Sequence, residues 1–255
     1  GYTESLESKQ IVHRYKSVSP KEFITYKILP SSTVLFETAI RPSEGEMTFG
    51  KNAGSATITG FCNKLHSFLG DEISKVCLDL RGRPVNDNSL VIYELSDRTQ
   101  GEQLFLNELG KECEILYFTP DEATKQPVYN VQLKGLIETI FPGFAPGVEE
   151  KFVTFFDNFM ITGSSYAAIA RLLYDNLLNK TLVNDLLYRD FESSLPSRSG
   201  YYFFCIPSRI LDYLAGFLDE DVINALKSNR NSLNKLQAVG YQLASSNNMI
   251  YNSLS

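Results

Sequence analysis

Between residues 151 and 179 two short runs of β-branched and aromatic residues give way to apolar positions at helical spacing. Phe152, Val153, Thr154, Phe155 and Phe156, then Phe159, Met160, Ile161 and Thr162, are β-branched and aromatic runs either side of Asp157-Asn158. A two-residue break of that kind predicts a hairpin, although Asn-Gly or Asp-Gly would be a stronger turn signal. Gly163-Ser164-Ser165 then offers a capping hydroxyl, and Ile169, Leu172, Leu173 and Leu177 recur at helical spacing, with Arg171 and Asp175 sharing the polar side. The stretch predicts strand, tight turn, strand, helix.

The same reading extends along the chain. Ser19-Pro20-Lys21-Glu22 has the form of a capping box with proline at the first helical position, which predicts a short helix to about Ile28. A strand follows at 33–40, then a loop at 41–55 carrying Gly45, Gly50 and Gly54. A helix is predicted at 58–69, with Phe61, Leu65, Phe68 and Leu69 on one side. Strands at 75–80 and 90–95 flank the turn-rich stretch 81–88, and a helix at 100–109 and a strand at 114–119 complete the first half. From Val128 come a strand to Gln132, a short helix or bent segment around 136–140, a loop at 141–147, the hairpin and helix described above, and a shorter helix at 182–191. Strand 201–206, helices at 208–217 and 221–228, and strands at 238–244 and 249–254 end the chain. Asn247 and Asn248 lie between the last two strands and tolerate the positive φ of a tight turn.

Strand, helix, hairpin and helix thus recur about three times, starting near residues 33, 128 and 201, and the third unit stops before its final helix. The expected class is α+β: antiparallel sheets with helices packed on them, on one face, built from about three strand-helix-hairpin-helix units. The corresponding division is a polar leader at 1–18, a first α+β unit at 19–125, and second and third units at 126–255, the last truncated. Gly1-Tyr2 at the start and Ser255 directly after a strand-like run suggest an excised piece of a longer protein.

Composition removes several function classes. Twenty-four Lys and Arg against thirty Asp and Glu give a net charge of −6, so the chain has no basic footprint for nucleic acid or an anionic membrane surface. No apolar run reaches the ~18 residues of a membrane span. Cys62, Cys77, Cys113 and Cys205 are scattered, three of them inside apolar runs, which suits buried thiols better than a disulfide framework. With 255 residues, the chain needs no such staples to bury a core.

Chemistry is sparse. His13 lies in the leader, and His66 lies near the apolar side of its helix with only Cys62 four residues earlier as a companion, a pair more suited to packing than to a metal. Gly163-Ser164-Ser165 resembles a nucleophile elbow only in part, since the second glycine's place holds Tyr166 or Ala167, and capping accounts for the serines. Arg81-Gly82-Arg83-Pro84 and Asp219-Glu220-Asp221 are charge runs at a turn and a helix start, where they need no ligand. No phosphate loop, EF-hand or zinc spacing is present, and no cofactor is implied. Phe152, Phe155, Phe156 and Phe159 with Tyr201, Tyr202, Phe203 and Phe204 form dense aromatic groups. These suit a covered sheet better than a glycan platform, which would require them exposed on a concave face.

The runs 152–165, Leu178-Asn179-Lys180-Thr181-Leu182, 236–243 and 248–252, with Leu29-Pro30-Ser31-Ser32-Thr33 leading into a strand, resemble a family of bacterial envelope proteins known mainly from the Bacteroides group and catalogued as a domain of unknown function. The resemblance covers residue 20 to the end, most specifically 150–252. It implies a location in the cell envelope, periplasmic or surface-exposed, and a parent protein held to the membrane by an N-terminal anchor or exported by a signal. It carries no active-site residue. The expected function is a non-enzymatic interaction or scaffold module whose partner is another envelope protein or the rest of its own chain. The alternatives are a hydrolase whose site is assembled from scattered Ser and Asp with His66, and a glycan-binding module.

Overall fold

Every strand-like run of the sequence enters one antiparallel sheet. The computed structural model describes residues 2–3, 14–41, 55–80, 82–83, 85–145, 148–214, 218–233, 235–246 and 249–255. His13, most of the leader, most of the 41–55 loop, Arg81 and Pro84, and the Asn247-Asn248 turn lie outside the described residues. The strands are β1 (Tyr2–Thr3), β2 (Thr33–Ile40), β3 (Leu69–Leu78), β4 (Ser89–Leu95), β5 (Glu114–Phe118), β6 (Gln126–Asn130), β7 (Phe152–Phe156), β8 (Phe159–Gly163), β9 (Tyr201–Cys205), β10 (Val239–Ser246) and β11 (Met249–Leu254). Their order across the sheet is β1-β11-β10-β9-β2-β3-β4-β8-β7-β6-β5. The helices are α1 (Ala56–Leu65), α2 (Arg98–Glu108), α3 (Leu136–Ile140), α4 (Tyr166–Leu177), α5 (Leu186–Glu192), α6 (Pro207–Leu214), α7 (Glu220–Ser228) and α8 (Arg230–Leu233).

Three sets of strands consecutive in sequence lie side by side: β2-β3-β4, β6-β7-β8 and β9-β10-β11. The pairs β2–β9 and β4–β8 join the sets. The sheet runs on across the expected division at 125/126, since Phe118 of β5 pairs with Gln126 of β6.

The pleat sends alternate side chains to opposite faces, and helices cover both, where the sequence led us to expect one. On one face, the Phe105 ring of α2 lies 5.5 Å from Phe155 and 5.2 Å from Tyr129. On the other, Ile169 of α4 packs over Gly163, where an added Cβ would come within 2.9 Å of it, and Tyr188 of α5 sits against Phe36 and Phe204. Covering on both sides explains why β4 is apolar almost without alternation and buried at every position but Glu94.

Local signals hold at the hairpin and fail at residues 19–28. Asp157 takes the left-handed turn position at φ 47°, and Ser165 Oγ accepts from the Ala168 amide at 3.1 Å to cap α4. At 19–28 no α-helix forms. Lys21 instead exchanges backbone hydrogen bonds with Ser199, 3.1 and 3.0 Å, and only a 3₁₀ turn at Thr25–Lys27 remains. The buried Glu72 carboxylate accepts from the Ile24 and Thr25 amides at 2.7 and 2.8 Å, supplying from another strand the acceptor that a local cap would have provided. The expected helix at 182–191 is likewise split into a 3₁₀ turn at Leu182–Asn184 and α5, which Asp185 caps through the Tyr188 amide at 3.2 Å.

The four cysteines are free thiols. Cys77 and Cys205 pair across β2 with the same residue, Leu35, so they stand two strands apart. That is about 10 Å, beyond the ~7 Å Cα separation a disulfide spans.

Candidate functional site

Helix α5 separates two depressions. Its sequence, Leu186-Leu187-Tyr188-Arg189-Asp190-Phe191-Glu192, places Tyr188 inward at 1% exposure, with Leu187 toward one flank and Arg189 and Glu192 toward the other. It is seated on the sheet at Gly240, where an added Cβ would stand 2.7 Å from the Phe191 ring. Phe36, Tyr202, Phe204 and Tyr188 form a packed aromatic group beneath it, with centroids 5.1 to 6.3 Å apart.

The first flank is apolar in part. A depression of about 210 Å³ is lined by Leu182, Leu187, Tyr188, Phe204, Ile206 and Leu236, together with Asp185, Ser208, Arg209 and Gln237. Beside it, the helix–turn–helix from α4 to α5 exposes Tyr174, Leu177, Leu178, Val183, Leu186 and Leu187, from 37% to 73%. These are six of the fourteen exposed large apolar side chains among the described residues, gathered within one segment. Isolated exposed apolar residues are ordinary, whereas a concentration of them marks a contact surface.

The second flank is polar. A cleft of about 460 Å³ lies between α5, residues 193–199, the 22–26 segment and strands β9 and β10. Tyr202 and Gln242 form its floor as a directly opposed cross-strand pair. Ser199 Oγ and Gln242 Oε1 are buried there without a hydrogen-bond partner in the protein, and their residues are 1% and 6% exposed. The Tyr202 and Tyr188 hydroxyls face each other but neither makes a well-directed hydrogen bond. A dry, unsatisfied buried polar atom costs about 1–3 kcal/mol, so several in one place call for an occupant, water included. Burial pushes the Glu192 carboxyl above the ordinary range; the nearby Tyr26 hydroxyl acts against the rise, and the Glu22 charge adds to it.

Two carboxylates that the sequence did not single out lie inside the protein. Glu150, 2% exposed, accepts from the Tyr93 hydroxyl at 2.5 Å, the Thr162 hydroxyl at 2.8 Å and the Ile137 amide in the first turn of α3 at 2.9 Å. Burial raises its carboxyl to about 7 against the pull of those donors, and burial raises Glu72 to about 7 in the same way. Both tie a loop or helix start to the sheet, a structural use of a buried acid. In sequence Glu150 is one of a charged Glu149-Glu150-Lys151 run, and nothing there marks it as buried.

The residues considered for chemistry are not assembled into a nucleophilic site. His66 Nε2 lies against the Arg41 guanidinium, a donor that occupies the lone pair a general base would use. Ser164 and Ser165 serve the backbone: Ser164 Oγ donates to the Ser89 carbonyl at 3.1 Å and Ser165 Oγ to the Asp87 carbonyl at 2.6 Å. Among the described residues no group of three His, Cys, Asp or Glu could hold a metal ion. Of the aromatic groups, Phe155, Phe159, Tyr201, Tyr202 and Phe204 are buried and the others half-buried, so they fill the core and offer no stacking face. No helix of the described residues is long and apolar enough to cross a membrane. No protein-family model, curated protein or solved structure matches this chain.

Proposed function

We propose that this chain is a non-enzymatic protein-interaction module of a larger, anchored envelope protein, exposed to the periplasm or the cell surface. The observation that carries the interaction is the apolar segment at 174–187, whose exposed leucines adjoin the depression under Leu187 and Leu236. Its occupant on this reading is an apolar segment of a second envelope protein. The envelope location rests on the resemblance of residues 150–252. The same reading takes the sheet as three related units of strand, helix and hairpin, supported by the side-by-side sets β2-β3-β4, β6-β7-β8 and β9-β10-β11 and by α1, α3 and α6 following the first strand of each.

The test compares the native chain with a Leu177→Lys/Leu186→Lys variant as bait for envelope extract, with melting curves recorded for both. Leu186 is 73% exposed and Leu177 46%, so the variant is expected to melt as the native protein does. It should lose a partner that the native chain retains and that crosslinks to position 186. Equal capture by the two baits, or crosslinks only to positions away from 174–187, would sink the reading.

A further inference from the structure

We propose that the polar cleft beside α5 binds a primary ammonium group carried on an alkyl chain. The inference is independent of the apolar docking surface on the opposite flank of the same helix.

The floor supplies acceptors. Gln242 Oε1 can only accept, Ser199 Oγ can accept, and both are buried with no partner in the protein. An ammonium group carries three donors and no acceptor, which matches this set, whereas a carboxylate or phosphate offers nothing to Gln242 Oε1. The rim supplies charge. Glu22 and Glu192 both line the cleft, against the single cation Arg189 among its lining residues. Tyr26 lines the cleft together with Glu192. The wall supplies apolar and aromatic surface, Phe23, Leu195 and Tyr26, for an alkyl chain and for a cation above a ring. The volume, about 460 Å³, exceeds by an order of magnitude the ~30 Å³ that one water occupies, so a molecule of several heavy atoms has room.

Two sources could present this chemistry: a free alkylamine, or a lysine side chain of a peptide. Calorimetric and NMR titrations with 1,5-diaminopentane and with N-acetyl-lysine methylamide distinguish them, and glycerol serves as a neutral hydroxyl control. Saturable binding of at least one amine, with a Kd on the order of 1 mM or tighter, is the expected result. Resonances of Gln242 and Ser199 should shift together with those of α5. Glu192→Gln keeps the shape of the rim and removes its charge, so it should weaken amine binding about tenfold, the scale of one charge-assisted hydrogen bond. Gln242→Met should do the same through the floor, and Ser199→Ala is the smaller change to use if Gln242→Met does not fold. Binding of the diamine alone points to a free amine, and binding of the lysine derivative alone to a peptide side chain. Failure of both amines to saturate, glycerol binding as tightly as either, or unchanged affinity in Glu192→Gln and the floor variant would each overturn the proposal and leave the cleft as a hydrated gap.

Discussion

Glu150 shows how a charged side chain in a polar-looking run becomes part of the core. Its carboxylate collects the hydroxyls of Tyr93 and Thr162 and the Ile137 amide, so one residue ties β4, β8 and α3 together. The arrangement has a consequence for pH. The folded carboxyl sits at about 7, above the ordinary value of 4.5, so the native state holds a proton that the unfolded chain releases between those limits. The Glu150 contribution is therefore fully present below about pH 4.5 and is lost as pH rises through 7, and Glu72, also at about 7, acts in the same direction. Each group is worth on the order of 3 kcal/mol over that window. Denaturant unfolding should thus give greater stability from these groups near pH 5 than near pH 8, and Glu150→Gln should flatten the difference. A Glu150→Gln protein with the same pH slope as the native chain would show that burial does not hold this proton.

At the scale of elements, the hairpin of β7 and β8 separates two adjacent phenylalanines that the sequence could not rank. Phe155 is fully buried under Phe105, while Phe156 is half-buried on the opposite face. Phe155→Ala should cost about 3–5 kcal/mol and Phe156→Ala about 1–2, measured as midpoint shifts in urea. Equal losses would mean that the strand's register differs from Phe155 opposite Met160. The hairpin and α4 were legible because their determinants are local: Asp157 at the turn, Ser165 at the cap, and apolar positions at the right period between them. Residues 19–28 were misread because their backbone is satisfied by Glu72 and Ser199, which no nearby residue announces. The polar cleft was illegible for the same reason. Tyr26, Glu192, Ser199, Tyr202 and Gln242 come from separate segments, and each alone is an unremarkable side chain.

For the whole molecule, the period of the pattern identifies strands but does not choose their partners. The links that make one sheet, Phe36 with Phe204 and Ile92 with Ile161, join positions far apart in the chain, and apolar faces of this kind would accept many neighbours. Helices on both faces were hidden likewise, since a run buried on two sides loses the alternation that would point to one. The resulting order places β2-β3-β4 between the other two sets, so the first unit cannot open without exposing edges of both neighbours. Val91 and Ile161, fully buried on adjacent strands, lie on opposite sides of the division at 125/126. Hydrogen exchange under mildly destabilising conditions should therefore give one common opening free energy for the amides of β3, β4 and β8. The amides of β5, an edge strand with Ile115 44% and Tyr117 45% exposed, should exchange faster. If instead the amides of β3 and β4 opened with one free energy and those of β7 and β8 with another, the β4–β8 ladder would be a seam between two folding units, and 19–125 and 126–255 would unfold separately.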